Sequence, residues 1–175
     1  SKIPDWSREH LHPGEWNPGK RLLLCIRDYQ RCRQERVLFG RLRRMWIIVR
    51  HRFWSVVSGA DIPLDCQIGG GLRLPHPNGI VIHPNARIGP NCMFFQQVTI
   101  GTLEEGGTPV IGGHVDIGAG AKLLGGIVIG DHVNIGANAV VLSDVPEGAV
   151  AVVFQRAACL QTIEAAHPMR ESAPS

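Results

Sequence analysis

A histidine between two prolines is the residue of this sequence best suited to acid–base chemistry. His76 lies in the segment Leu74-Pro75-His76-Pro77-Asn78-Gly79, where the prolines restrict the local backbone. An imidazole changes its protonation state between pH 5 and 8, so it can accept a proton from an attacking hydroxyl. An exposed turn histidine without a catalytic role is the alternative. The position alone makes His76 a candidate general base and leaves the reaction open.

Three further histidines lie in similar turn positions. His83 follows His76 closely, and it either lines the same pocket or is an ordinary turn residue. His114 and His132 follow Gly-Gly and Gly-Asp at equivalent positions of a repeat, which indicates that they are recurrent turn residues of that repeat. Their spacing is not typical of a metal site, and we predict that the protein holds no metal.

The elements that position these histidines belong to a six-residue repeat between Ile62 and Pro146. The residue four positions after the large one is mostly small or β-branched, and glycine often follows the large residue directly. A period of six fits neither a helix nor a strand over this length. It predicts a solenoid whose stacked coils bury ladders of apolar side chains. The large residues are Ile62, Ile68, Leu74, Ile82, Ile88, Phe94, Ile100, Ile111, Ile117, Leu123, Ile129, Ile135 and Val141.

The repeat loses its phase twice, and both breaks involve candidate site residues. The first break lies between Leu74 and Ile82, beside His76. The second lies between Ile100 and Ile111, where the polar segment 102–110 must loop outward. Insertions into solenoids often form the binding face. We therefore predict that His76 and this loop are walls of one active site, contributed by one subunit or by two.

The first sixty residues differ from the repeat in charge and periodicity. They hold 13 Lys+Arg against 5 Asp+Glu, whereas residues 61–175 hold 5 against 10. Residues 1–16 are expected to be extended or partly ordered, and Asn17-Pro18 predicts the start of a helix. A second helix is predicted from an apolar stripe. The stripe consists of Leu38, Leu42, Met45, Trp46, Val49, Phe53, Val56 and Val57. We expect a helical segment at 1–60, a solenoid at 61–150 and a tail at 151–175.

The two helices have two possible roles. They are expected to cap the open end of the solenoid or to pack on a neighbouring subunit. The alternative is a weak contact with a membrane surface, because arginines flank the stripe and Trp46 and Trp54 suit such an interface. Nucleic acid is not expected as a partner. No signal peptide or membrane span is recognised, and five cysteines without a CxxC pair predict buried thiols in a reducing cytoplasm.

Several motifs of the repeat resemble those of serine O-acetyltransferases, which are hexapeptide-repeat acyltransferases. The resemblance implies a mainly β fold, a left-handed parallel β-helix of about four triangular coils with an N-terminal α-helical segment. It also implies a homotrimer or a dimer of trimers with active sites between adjacent solenoids. The motifs are HPNGIVI at 76–82, ARIG at 86–89, QQVTIG at 96–101, IGAGAKLLG at 117–125 and IGANAVVLSDV at 135–145.

The same resemblance implies roles for individual residues. His76 matches the catalytic base, which deprotonates the acceptor hydroxyl for direct attack on the thioester of acetyl-CoA. Gly101 and Thr102 match positions near the thioester and the acceptor, and His83 and Thr108 are further candidate acceptor contacts. The positions that match contacts to the pantetheine arm are Ala119, Gly120, Asn134 and Ala137.

The sequence also departs from the family pattern around the expected acceptor. Pro75 and Pro84 replace acidic residues, and Gly107-Thr108-Pro109 replaces Arg-His-Pro in a shorter loop. The second histidine and the amino-acid-binding groups are therefore missing. We expect an acetyl-CoA-dependent O-acetyltransferase that acts on serine or a related small hydroxyl acceptor. The alternatives are an acyltransferase for sugars, polysaccharides or secondary metabolites, and a non-catalytic scaffold.

Overall fold

The computed structural model describes residues 3–32, 39–104 and 106–152. A short 3-10 helix, Trp6–Glu9, precedes two α-helices, α1 (Pro18–Cys32) and α2 (Phe39–Ser58). Twelve short strands follow. They are β1 (Gln67–Ile68), β2 (Val81–Ile82), β3 (Arg87–Ile88), β4 (Met93–Phe94), β5 (Thr99–Gly101), β6 (Val110–Ile111), β7 (Asp116–Ile117), β8 (Lys122–Leu124), β9 (Val128–Ile129), β10 (Asn134–Ile135), β11 (Val140–Val141) and β12 (Val150–Ala151). Residues 153–175 of the predicted tail lie outside the described residues.

The strands form three parallel sheets that the chain visits in turn. Sheet 1 has the order β11-β8-β5-β2, sheet 2 has β1-β3-β6-β9, and sheet 3 has β12-β10-β7-β4. Each circuit of the three sheets is one coil, and the registers pair equivalent positions of successive coils, such as Ile82 with Ile100. The fold is the expected left-handed parallel β-helix. The three corners of the coil are named as edges. At the first edge the chain passes from sheet 3 to sheet 1, and at the second edge it passes from sheet 1 to sheet 2. At the third edge it passes from sheet 2 to sheet 3.

The repeat fills the inside of the coils as its period predicts. Every large residue of the repeat is buried, and Phe94 is the largest fully buried side chain among the described residues. The small positions hold two thiols, Cys66 and Cys92, whose sulfurs contact backbone carbonyls of the adjacent coil. Burial raises the pKa of each thiol to about 11. These cysteines are packing residues of the core, because thiols with such a pKa are almost entirely protonated at neutral pH.

Helix α1 covers the first coils, as the capping prediction requires. The Asn17 side chain accepts a hydrogen bond from the Lys20 amide at 3.0 Å, which confirms the predicted helix start. Leu22, Leu23 and Ile26 belong to the same buried cluster as the coil residues. The helical segment therefore shares one hydrophobic core with the solenoid.

Helix α2 packs through the face opposite to its predicted apolar stripe. Ile47 is buried beside α1, and the His51 ring is 2.8 Å from the carbonyl oxygen of Ile62. Leu38 lies outside the described residues, and the rest of the stripe is exposed, with Trp46 and Val56 at 62% and 83%. Among the described residues, no helix has the length and apolar character that crossing a membrane requires.

The N-terminal segment is fixed to the coils by polar contacts rather than by an apolar pattern. The Glu9 carboxylate accepts hydrogen bonds from the amides of Gly71 and Leu72 at 2.7 and 3.1 Å. It also pairs with Arg27 of α1, whose guanidinium donates to the carbonyl oxygen of Ile68 at 2.6 Å. The sequence predicts an extended or partly ordered segment at 1–16, and the structure adds this anchored 3-10 helix within it.

Candidate active site

The turn that carries His76 begins the first edge of the β-helix. It leaves sheet 3 after Arg73, which pairs with Met93, and enters sheet 1 at β2. Gly79 has a φ of 72° and donates its amide to the carbonyl oxygen of Gly59 at 2.7 Å, which ties the turn to the end of α2. His76 is exposed, and its ring makes no hydrogen bond or ion pair with another described residue. The imidazole is therefore presented to solvent on a constrained turn.

The predicted coenzyme contacts lie on this same edge, two and three coils further along. Backbone bonds connect the turns coil by coil, from Gln97 to Asn78 at 2.9 Å and from Gly120 to Gln96 at 2.8 Å. The bond from Asn138 to Ala119, at 2.7 Å, continues the ladder beside Ala137. Gly120 has a φ of 75°, and a Cβ there would lie 2.1 Å from the Asn138 side-chain oxygen. Ala119, Gly120 and Ala137 thus share one edge with His76, and Asn134 lies on the adjoining sheet 3.

The predicted acceptor contacts lie on the second edge, at the other side of sheet 1. Gly101 ends β5, and the inserted segment from Thr102 leaves the coil there as a largely exposed loop. Its far end returns to the coils through Thr108, whose hydroxyl donates to the carbonyl oxygen of Asn85 at 3.1 Å. The Asn85 amide in turn donates to the Nδ1 atom of His83 at 3.2 Å. Within one chain, these residues are separated from His76 by the strands of sheet 1.

His114 and His132 serve the packing of the third edge. Their rings stack with centroids 4.9 Å apart and an interplanar angle of 13°. The Asn91 side-chain nitrogen lies 3.2 Å from the Nε2 atom of His114 and donates to the carbonyl oxygen of Ile3 at 2.9 Å. No group of three or more metal-binding side chains occurs in residues 3–32, 39–104 and 106–152.

Two polar residues on or beside the first edge were not among the predicted site residues. Gln96 is on the first edge, and its Oε1 atom is buried without a hydrogen-bond partner among the described residues. Lys122 donates to the Gln97 carbonyl oxygen at 2.7 Å and to the Thr99 hydroxyl at 3.0 Å. A buried acceptor without a partner is rare in folded proteins, so Gln96 offers a hydrogen bond to a molecule bound along this edge. The motif QQVTIG was the signal that pointed to it.

A small basic cleft adjoins the His76 turn on the sheet 3 side. Its volume is about 90 Å³, and its lining residues are Arg8, Asn17, Lys20, Leu72, Arg73, Leu74 and Pro75. A larger depression of about 430 Å³ lies on sheet 2 beside Gln30 and contains none of the candidate site residues. The small cleft is the one of chemical interest, because Pro75, which lines it, directly precedes His76.

Comparison with known families agrees with the geometry. Residues 108–143 match the model of the bacterial transferase hexapeptide, which consists of six repeats. This match covers the third and fourth coils, which include both first-edge turns with predicted coenzyme contacts.

Known relatives and solved structures extend the similarity to most of the chain. The serine acetyltransferase of Helicobacter pylori is 38% identical over 140 residues, which are 77% of each chain. A serine acetyltransferase structure in complex with CoA has a TM-score of 0.66 and 31% identity over 80% of this chain. The Neisseria gonorrhoeae enzyme in complex with serine has a TM-score of 0.64 and 34% identity over 77% of this chain. This chain spans only 56% and 54% of those two structures.

Proposed function

The chain belongs to the serine acetyltransferase family, and we propose that it transfers the acetyl group of acetyl-CoA to the hydroxyl of serine or a related small acceptor. The observation that carries this proposal is the shared first edge of His76, Ala119, Gly120 and Ala137. The first edge carries His76 on one turn and the predicted coenzyme contacts on later turns. Such a row of turns suits a long, thin coenzyme that lies along the edge with its thioester near the base. The relatives in complex with CoA and serine support the same chemistry.

The proposed reaction is a single direct transfer. The neutral His76 imidazole takes the proton of the acceptor hydroxyl while the oxygen attacks the thioester carbonyl. Backbone amides of the 102–109 loop or of a neighbouring turn stabilise the oxyanion of the tetrahedral intermediate. The intermediate expels the CoA thiolate, which takes the proton from His76, and the products are the O-acetyl ester and free CoA. One base is sufficient because the thioester is already activated.

The separation of the two edges supports a site built from two subunits. In one chain, the strands of sheet 1 lie between His76 and the residues His83, Thr102 and Thr108. We propose that the second edge of a neighbouring copy completes the site in a homotrimer or a dimer of trimers. The four free cysteines of the described residues support the further proposal of a reducing, cytoplasmic environment.

A thiol-release assay with the purified chain tests the proposed reaction. With acetyl-CoA present, we expect serine-dependent formation of free CoA and of O-acetylserine, identified by mass spectrometry. Threonine, homoserine and simple sugars serve as competing acceptors. A reaction with a sugar and none with serine would favour the sugar acyltransferase alternative. Failure to bind acetyl-CoA in calorimetry would favour the scaffold alternative.

The exposed stripe of α2 supports the proposed weak contact with a membrane surface. The side chains of Leu42, Met45, Val49 and Phe53 are between 53% and 74% exposed, and they share one face of the helix with the exposed Trp46 and Val56. Arg41 and Arg52 flank the stripe on one side, and Arg43 lies on the other. The α2 sequence contains no acidic residue, so a second α2 would meet it with like charge, whereas anionic lipid headgroups would neutralise it.

Vesicle co-sedimentation tests this surface contact. We expect the protein to bind phosphatidylserine-containing vesicles more strongly than pure phosphatidylcholine vesicles. The double variant Trp46→Ser/Phe53→Ser should bind about 10-fold or more weakly, because two large apolar side chains no longer enter the interface. Val110→Ser/Val128→Ser, at exposed positions of sheet 2, is the matched control. Equal binding of both double variants, or a change of oligomer size in the α2 variant alone, would contradict the membrane assignment.

A further inference from the structure

We propose that the basic cleft beside His76 binds the carboxylate of the acceptor, with Arg73 as its principal contact. This inference rests on the proposed acetyltransferase reaction and assigns the acceptor-recognition site. The cleft has three cationic side chains, Arg8, Lys20 and Arg73, in a volume of about 90 Å³. A carboxylate group fits such a space, and guanidinium groups bind carboxylates through paired hydrogen bonds.

Arg73 is the cation whose charge is available. Its backbone pairs with Cys92 and Phe94 of the next coil, but its guanidinium makes no hydrogen bond or ion pair with any residue of the described segments. Lys20 pairs with Glu15 at 3.0 Å and donates to the carbonyl oxygen of His10 at 2.7 Å. Arg8 donates to the carbonyl oxygen of Asn91, which fixes it against the coils. Glu15 offsets the charge of Lys20, and Arg8 is held against the coils, so Arg73 is the cation of the cleft that is left to bind a ligand.

The position of the cleft indicates which anionic group binds there, the carboxylate of the acceptor or a phosphate of the coenzyme. Arg73 precedes the His76 turn by three residues, and Pro75 belongs to both the cleft and the turn. The first-edge turns of Ala119 and Ala137 lie on later coils, away from the cleft. A coenzyme that follows those turns places its thioester near His76 and its phosphates at a distance. The anion that reaches the cleft is therefore that of the acceptor.

The inserted loop offers no competing cation for this role. Its sequence from Thr102 to Pro109, TLEEGGTP, contains two glutamates and no Lys, Arg or His. A carboxylate placed against this loop would meet like charge rather than a partner. The cleft is thus the site near His76 that compensates for the missing basic residue of the loop.

A comparison of serine with serinamide tests the assignment. Both carry the hydroxyl, but serinamide lacks the carboxylate. We expect the wild-type protein to prefer serine, and Arg73→Gln to raise the KM for serine roughly 10-fold to 100-fold with little change for serinamide or acetyl-CoA. Arg73→Lys should recover part of the preference. Arg87→Gln, an exposed arginine at the equivalent strand position of sheet 2, is the matched control.

Each result of this comparison has a distinct meaning. An active protein in which Arg73→Gln and Arg87→Gln retain the wild-type preference for serine would overturn the cleft assignment and leave the proposed reaction intact. A raised KM for acetyl-CoA instead of serine would also overturn it, because the cleft would then bind a phosphate of the coenzyme. A wild-type protein that releases no CoA with any acceptor would contradict the proposed reaction itself.

Discussion

Replacement of His76 by alanine is expected to lower kcat by about 10²-fold to 10⁴-fold, because the acceptor hydroxyl then has no group to take its proton. The KM for acetyl-CoA should change little, since Ala119, Gly120 and Ala137 are two and three coils away on the same edge. The measurement is the initial rate of thiol release at saturating acetyl-CoA with serine as acceptor. Unchanged kcat would remove His76 from the mechanism.

A second histidine variant separates this effect from a general loss of structure. His132 is also exposed and also occupies a turn, but it lies on the third edge and stacks on His114. His132→Asn keeps a residue type that tolerates the φ of 59° found there. We expect nearly wild-type kcat for this control. Because His76 is exposed and makes no hydrogen bond, His76→Ala should retain the wild-type melting temperature, so its lost activity would report chemistry.

The repeat made the fold predictable, because each position of a hexad has one environment throughout the solenoid. The large residues of the hexads all point inward. Leu72, Ile80 and Ile127 are exceptions at the second inward position, because they are large where other hexads have a small residue. All three adjoin the turns or loop where the phase breaks. A six-residue pattern predicts a small residue at these positions, so it does not predict the larger side chains that the core accommodates there.

The placement of the candidate site residues on two edges could also be predicted from the sequence. His76 and His83 are separated by about one hexad, which is one side of a triangular coil, so they occupy successive edges. Ala119 and Ala137 are one full coil apart and therefore share an edge. The basic cleft was not predictable, because Arg8, Lys20 and Arg73 meet only after the N-terminal segment crosses sheet 3.

The orientation of α2 could not be predicted because both of its faces carry apolar residues. The buried face holds Ile47 and the partly buried Trp54, whereas the wider stripe that periodicity detects is exposed. Contacts with α1 decide between the faces, and they include the ion pair of Arg50 with Asp28 at 3.3 Å. Hydrophobic periodicity identifies a face that needs a partner without identifying that partner.

Loss of the Glu9–Arg27 pair is expected to have the largest effect on stability. The two side chains are 9% and 7% exposed and 2.8 Å apart. Arg27→Met would leave the Glu9 carboxylate buried without its cation and the carbonyl oxygens of Ile68 and Gly69 without their donor. Breaking a buried pair from one side costs about 3–5 kcal/mol of unfolding free energy. For a chain of this size, that corresponds to a fall in Tm of roughly 6–20 °C.

A second ion pair, which joins α1 to α2, shows whether burial is the cause. Asp28 and Arg50 are 20% and 29% exposed, and such a pair contributes about 0–1 kcal/mol. Arg50→Met should therefore lower Tm by only a few degrees, whereas Arg27→Met also loses the stacking of its guanidinium 5.3 Å from the Trp6 ring. Adding Glu9→Gln to Arg27→Met should restore part of the loss, because the uncompensated charge is removed. Equal melting temperatures for the two arginine variants would mean that the N-terminal segment is not anchored by this pair.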